Sequence, residues 1–180
     1  SLLSNTQHQF LTENKEMDIG WDYNGNRFRV NIYTNKKNIS GALRLVPNKI
    51  KTIEELGLPS IFHSFSSYKQ GLILFTGPTG EGKSTSMASI INEINEKYSK
   101  HIITIEDPIE FSYPLSKSII SQRELHQDTL SWTNALKSVL REDPDVVFVG
   151  EMRDYETIQL VLTIAESGHL VFSTLHTGST

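Results

Sequence analysis

Two hydrophobic rhythms divide the chain near residue 70. Upstream, apolar and polar residues alternate. In RFRVNIY (27–33), Phe28, Val30 and Ile32 share one face, and Arg27, Arg29 and Asn31 the other. A second strand-like run, ISGALRLV (39–46), follows after TNKKN, and the pair predicts an antiparallel hairpin. Residues 1–18 are polar with no clear period. The stretch 48–67 reads as a linker with short helical pieces, punctuated by Pro47, Gly57 and Pro59. Downstream, short and nearly continuous apolar runs take over: LILF (72–75), HIITI (101–105), VVFV (146–149) and HLVFSTL (169–175). Between them lie stripes at helical spacing. These are Met87, Ile90, Ile91, Ile94 and Tyr98, then Trp132, Leu136, Val139 and Leu140, then Ile158, Val161, Leu162 and Ala165. Apolar strands alternating with amphipathic helices predict an α/β domain with a mainly parallel sheet covered on both faces. The expected organisation is a partial N-terminal α+β domain over 1–47, a linker over 48–69 and an α/β domain over 70–180.

Composition narrows the classes. Hydrophobic residues make up 37% and charged residues 21% of the 180, which suits a water-soluble globular chain. A formal net charge of −4 argues against direct nucleic-acid binding, which favours basic excess. The chain has no cysteine, so neither a disulfide framework nor a cysteine metal site is available. No apolar run reaches the roughly 18 residues that span a bilayer, and no signal peptide opens the chain. A cytoplasmic location is expected. Ser1 opens the chain without a methionine and Thr180 follows a strand-like run, so a piece of something longer is expected.

Candidate chemistry begins with GPTGEGKST (77–85), which fits G-x-x-x-x-G-K-[ST]. The nucleotide-binding residues are expected to be Gly77, Pro78, Thr79, Gly80, Glu81, Gly82, Lys83, Ser84 and Thr85. In such a loop the backbone N–H groups, which every residue but Pro78 has, curl around a β-phosphate. Lys83 reaches the β/γ oxygens, and Ser84, followed by Thr85, supplies a hydroxyl for Mg²⁺. An apolar run precedes the loop and an amphipathic stripe follows it, as a phosphate loop requires. Glu81 at the tip is a carboxylate among phosphates, and its side chain is expected to face away from them.

In a parallel sheet, ligands gather outside the carboxyl ends of the strands. The run 101–105 leads into Glu106-Asp107-Pro108-Ile109-Glu110, and 146–149 into Gly150-Glu151-Met152-Arg153-Asp154. The last run opens at His169 and ends at His176. Asp107 and Glu110 can equally cap a turn, and histidines beside a strand are as readily structural. Glu151 sits where a Mg²⁺-organising acid belongs in phosphoryl transfer, although aspartate is more usual there.

Together GPTGEGKST, TIEDPIEF (104–111), REDPDVVFVGEMRD (141–154) and GHLVFSTLHT (168–177) resemble the secretion-superfamily ATPases of type IV pili and type II secretion. They match that family's Walker A motif, Asp box, Walker B motif and His box in order. TIEDPIE, QRE (122–124) and GEMRD are most similar to the PilT-like retraction ATPases. Extension and secretion members more often carry GEIRD. The resemblance implies a RecA-like P-loop motor domain behind part of a PAS-like domain, a homo-hexamer, and ATP with Mg²⁺ as substrate and cofactor. It implies an inner-membrane platform protein as partner, with the ATPase associated peripherally. By the same resemblance Glu106 activates water, Glu151 acts on the Mg²⁺ shell, and His176, with His169, senses the γ-phosphate.

Arg29 and Arg44 gain meaning from it. A hairpin closed about Lys36 and Lys37 sets these arginines opposite each other, where two like charges destabilise unless an anion is near. Family members use arginines at matching places to reach nucleotide; a solvated face is the plainer alternative. Two positions depart from the family pattern, with Glu81 replacing a serine and Ser173 a glycine. Besides retraction, pilus extension or secretion shares the same chemistry. A P-loop kinase and a nucleotide-gated adaptor without turnover are the more distant alternatives, disfavoured by the acid and histidine motifs.

Overall fold

The computed structural model describes residues 3–47 and 49–175, which fall into two units, one up to residue 48 and one from residue 49. In the first, α1 (Asn5–Asn14) precedes three antiparallel strands, β1 (Glu16–Tyr23), β2 (Asn26–Asn35) and β3 (Asn38–Leu45), in spatial order β1-β2-β3. Ser4 and Gln7 form a reciprocal capping box that starts α1. Asn24 and Gly25 both adopt positive φ, the backbone of a tight hairpin turn matched to strand twist. The second turn achieves this with Lys36 and Lys37, at φ 47° and 70°. Leu3, Leu11, Ile19, Val30 and Ile32 form the core of this unit, with Met17, Trp21 and Phe28 against it.

The second unit carries a five-stranded sheet, all parallel, in the order β4-β8-β7-β5-β6. Its elements are α2 (Ile61–Phe65), β4 (Gly71–Thr76), α3 (Lys83–Lys97), β5 (His101–Glu106), β6 (Ile119–Glu124), α4 (Trp132–Val139), β7 (Val146–Val149), α5 (Tyr155–Glu166) and β8 (Leu170–Leu175). Side-chain alternation splits the core. Ile103, Ile105, Val147, Val149 and Val171 pack with α4 and α5 on one face. Ile102, Val146, Phe148, Leu170 and Phe172 pack with Met87, Ile90, Ile91 and Ile94 of α3 on the other. Thr104 and Glu106, in step with Ile102, therefore belong to the α3 face.

The segment expected as a linker behaves otherwise. Ile53 is buried in the α3-side core, with Leu58, Phe62 and Phe65 packed against it. Its Pro and Gly punctuation marks turns; its apolar residues lie too irregularly for a period.

Both faces of the sheet hold fully buried side chains, so truncation there leaves a cavity. Ile90→Ala is expected to lower unfolding free energy by about 2–5 kcal/mol and Phe172→Ala by about 3–5 kcal/mol. Leu115→Ala, at a fully exposed residue, should change urea midpoints little.

Candidate functional site

The loop between β4 and α3 is built on left-handed backbone. Gly77, Gly80 and Gly82 have φ of 144°, 90° and 82°, and a Cβ at any of them would meet no atom within 4 Å. Torsion rather than crowding demands glycine there, and the space before the loop is open. Pro78 and Thr79 run between the first two of these glycines, and both are exposed. Thr79 thus lies on the loop itself, as the motif requires, with Gly80 completing a turn beside it. Glu81 is exposed at the tip, and Ser84 and Thr85 are half-buried in the first turn of α3.

The helix start is equally informative. Side chains of Ser4, Ser131 and Asp154 cap α1, α4 and α5 by accepting main-chain N–H groups. The N-cap of α3 is Gly82, with no side-chain cap, so the positive end of a 15-residue helix faces the loop unquenched. The Lys83 ammonium donates to the carbonyls of Gly77 and Pro78, each at 2.7 Å. Phosphate oxygens, being anionic, are stronger acceptors for it than these neutral carbonyls.

The parallel register carries β5, β7 and β8 to the same edge as this loop. Strands lie about 4.8 Å apart, so the ends of β7 and β5 stand about 10 and 14 Å from that of β4. Gly150 closes β7 against β5: its N–H donates to the Ile105 carbonyl at 2.8 Å. An added Cβ there would lie 3.5 Å from the Glu106 Cα. A Cβ would thus fit at ordinary contact distance, and the hydrogen bond between Gly150 and Ile105, rather than the missing side chain, sets how closely the backbones leading to Glu106 and Glu151 approach. Thr174 Oγ1 donates to the Gly150 carbonyl at 2.7 Å, and Met152 N–H donates to the Thr174 carbonyl at 3.0 Å. These bonds fix the turn that carries Glu151, which pairs with the exposed Arg153 guanidinium at 2.5 Å. That carboxylate raises the Arg153 pKa.

Glu106 is the chemically distinctive residue of this edge. It is 4% exposed, and its pKa is pushed up to about 7 from an ordinary 4.5. Burial drives this, because a carboxylate loses hydration it cannot recover in the interior. Opposing it are the Thr104 hydroxyl, the Glu110 main-chain N–H at 3.1 Å from Oε2, and the Gln122 amide at 3.4 Å from Oε1. Thr104 Oγ1 has no partner of ordinary hydrogen-bond geometry, so it acts as a nearby dipole. A carboxyl titrating near neutrality is suited to accepting a proton.

The structure thus gathers the loop 77–85, Glu106 and Glu151 at one sheet edge. His169 is not among them. It precedes β8, whose first residue pairs with Gly71 at the start of β4. A six-residue strand spans about 20 Å, which places His169 at the opposite edge, where its ring Nδ1 lies 3.2 Å from the Ile164 carbonyl. Residues at the two ends of one parallel strand cannot line the same edge, and this corrects the sequence expectation. His176 lies outside the described residues. Arg29 and Arg44 are cross-strand partners, as the hairpin argument requires, within the first unit. Sequence reasoning missed Thr104, Gln122, Gly150 and Thr174 as supports of the acids. They drew notice only as letters of the family motifs TIEDPIEF, QRE, GEMRD and GHLVFSTLHT, with no role of their own.

A glycine loop with Lys-Ser opening a helix, set on a parallel α/β sheet, defines a P-loop fold. The family model described as Type II/IV secretion system protein matches residues 29–180, and the chain belongs to that family. The chain is 52% identical over 178 residues to a twitching motility protein of Neisseria gonorrhoeae, covering 98% of this chain and 48% of that one. A crystal structure of the pilus retraction motor PilT with bound ADP superposes with TM-score 0.94 at 49% identity, covering 99% of this chain and 52% of that one. The type IV pilus assembly ATPase PilB of Myxococcus xanthus is 44% identical over 108 residues, 59% of this chain and 18% of that one. The chain therefore spans about half the length of the twitching and retraction relatives. Among the described residues, no helix is long and apolar enough to cross a membrane.

The raised Glu106 pKa has a consequence for stability. The folded protein holds this proton between about pH 4.5 and 7, where the unfolded chain has released it. The contribution is complete below pH 4.5 and is lost as pH rises through about 7, totalling on the order of 3 kcal/mol. Glu106→Gln should therefore gain stability relative to wild type over that window, measured as the difference in urea unfolding free energy at pH 5 and pH 8.

Proposed function

We propose that the chain is the nucleotide-hydrolysing part of a hexameric motor ATPase that powers type IV pilus retraction. The observation that carries the hydrolytic reading is the buried Glu106, with a pKa near neutrality, on the sheet edge that presents the uncapped Lys83–Ser84 helix start. Retraction rather than extension is supported by the reach of the likeness. The twitching motility relative matches 98% of the chain, the pilus assembly relative only 59%.

The substrate is MgATP. Main-chain N–H groups of the loop, that of Thr79 among them, join Lys83 in holding the β- and γ-phosphates and neutralising their charge. The Ser84 hydroxyl and the Glu151 carboxylate, the latter through water, fit Mg²⁺, which prefers oxygen donors and needs only one or two from protein when phosphates and water complete its shell. When bound, Mg²⁺ supplies charge stabilisation to the transferring phosphoryl group. Glu106 accepts a proton from water as its oxygen attacks the γ-phosphorus. The bond from the γ-phosphorus to the bridging oxygen breaks, and ADP and phosphate leave. His176 senses the γ-phosphate. Arg29 and Arg44, supplied by the first unit of a subunit in the ring, reach nucleotide and stabilise charge in the transition state. The ring works in the cytoplasm against an inner-membrane platform protein.

In the full-length protein, Glu106→Gln should lower kcat at least 100-fold while ATP affinity stays within a few-fold, and Lys83→Ala should weaken ATP binding itself. A Glu106→Gln enzyme with wild-type kcat would exclude the hydrolytic role. Deleting the gene in its host should leave cells piliated but non-twitching; bald cells would point to extension instead. Arg29→Ala and Arg44→Ala should each reduce kcat in the assembled ring, and unchanged rates would assign them to a solvated face.

A further inference from the structure

We propose that Gln122 is the positioning residue for Glu106, its carboxamide holding the carboxyl group in the orientation that accepts a proton from water. This rests on the reading of Glu106 as the proton acceptor. Gln122 lies on β6 opposite Thr104 of β5, and Glu124 lies opposite Glu106, so Gln122 sits one step back on the face that carries the acid. Its Oε1 accepts the Tyr113 main-chain N–H at 3.3 Å. Its Nε2 donates to the Phe111 carbonyl at 2.8 Å and to Glu106 Oε1 at 3.4 Å. The amide has one satisfactory orientation, since flipping it would set oxygen against two acceptors and NH₂ against a donor.

The other carboxyl oxygen, Oε2, accepts the Glu110 N–H at 3.1 Å. One N–H on each oxygen fixes the plane of the group. The Thr104 hydroxyl adds a dipole nearby but no bond of ordinary geometry, so the side-chain hold on the acid falls to Gln122. The titratable groups that meet the acid are themselves acidic: Glu110 and Tyr113 from the following loop, and Glu124 opposite it on β6. Burial pushes the Tyr113 hydroxyl up, so it stays neutral. The 3.4 Å separation is long for a bond to a neutral acid and can shorten when the carboxyl ionises, because a charge-assisted bond is stronger. The same amide, anchored at Phe111 and Tyr113, links the acid to the loop 107–113.

The test compares full-length wild type, Gln122→Leu, Gln122→Glu and Glu106→Gln in steady-state ATPase assays from pH 5.5 to 9, with thermal melts alongside. Gln122→Leu should move the midpoint of the kcat profile up by about one pH unit, through loss of a hydrogen bond to the ionised form. It should cut kcat at pH 7 about fivefold and leave the KM for ATP within twofold, with much of the rate recovered at pH 9. Gln122→Glu, nearly isosteric, should move the midpoint further, and it carries the test if Gln122→Leu fails to fold. An unmoved midpoint in the folded variants, or a KM rising in step with the loss of kcat, overturns the proposal. If Glu106→Gln is inactive in that event, the proton-acceptor reading survives and only the role of Gln122 falls. If Glu106→Gln keeps wild-type kcat, both fall.

Discussion

The common polarity of β4, β8, β7 and β5 is the constraint on which the rest of this structure depends. Each strand delivers its carboxyl end to one edge, so residues as far apart in sequence as Gly77 and Glu151 converge there without long excursions. The strand order matters as much. With β8 between β4 and β7, the acid-bearing turns stand about 10 and 14 Å from the glycine loop, room for a triphosphate and an attacking water rather than for direct ion pairing with Lys83. The same polarity removes His169, because a parallel strand has one end at each edge.

Placing Glu106 inside that edge opposes stability to its proposed function. Its face of β5 packs toward α3, and burial there makes its ionised form unfavourable. A glutamine would satisfy the interior better above neutral pH, and it could not accept a proton. The hydrogen-bonding shell moderates this opposition without cancelling it. The Glu110 N–H and the Gln122 amide are dipoles rather than charges, so the carboxyl remains a base near pH 7. A lysine in place of Gln122 would stabilise the carboxylate strongly enough to make it a weak base.

Much of this was legible in the sequence, for reasons that can be assigned. Strands buried on both faces read as apolar runs, and VVFV (146–149) coincides with β7 to the residue. The hairpin register followed from symmetry about Lys36 and Lys37, and it paired Arg29 with Arg44 correctly. In contrast, α1 was missed although Ser4 and Gln7 spell a capping box, because its apolar face is thin and one residue, Leu11, is buried within it. The strand β1 escaped despite the alternation of Met17, Ile19 and Trp21 and the Asn24-Gly25 turn that follows. The edge strand β6 (IISQRE) is half polar because Gln122 and Glu124 face acids and backbone instead of a core. The residue that orients the proposed base was hidden for that reason. Its chemistry depends on a neighbour supplied by another strand.

The two departures from the family pattern divide along the same line between fold and edge. Ser173 is fully buried on β8, and its hydroxyl donates to the Val149 carbonyl at 2.9 Å, so the side chain that departs from the pattern expected at this position is paired with a partner. Its register neighbour is Val149 itself, the last residue of β7, and the extra bond ties the two strands where the turn to Glu151 begins. Glu81, in contrast, is exposed at the loop tip, and its φ-permissive neighbours Gly80 and Gly82 leave its direction to solvent. In the proposed phosphate site the facing elements are backbone amides and Lys83, none of which depends on the side chain at 81. A carboxylate is compatible with the proposed anion site because that cradle is made of main chain.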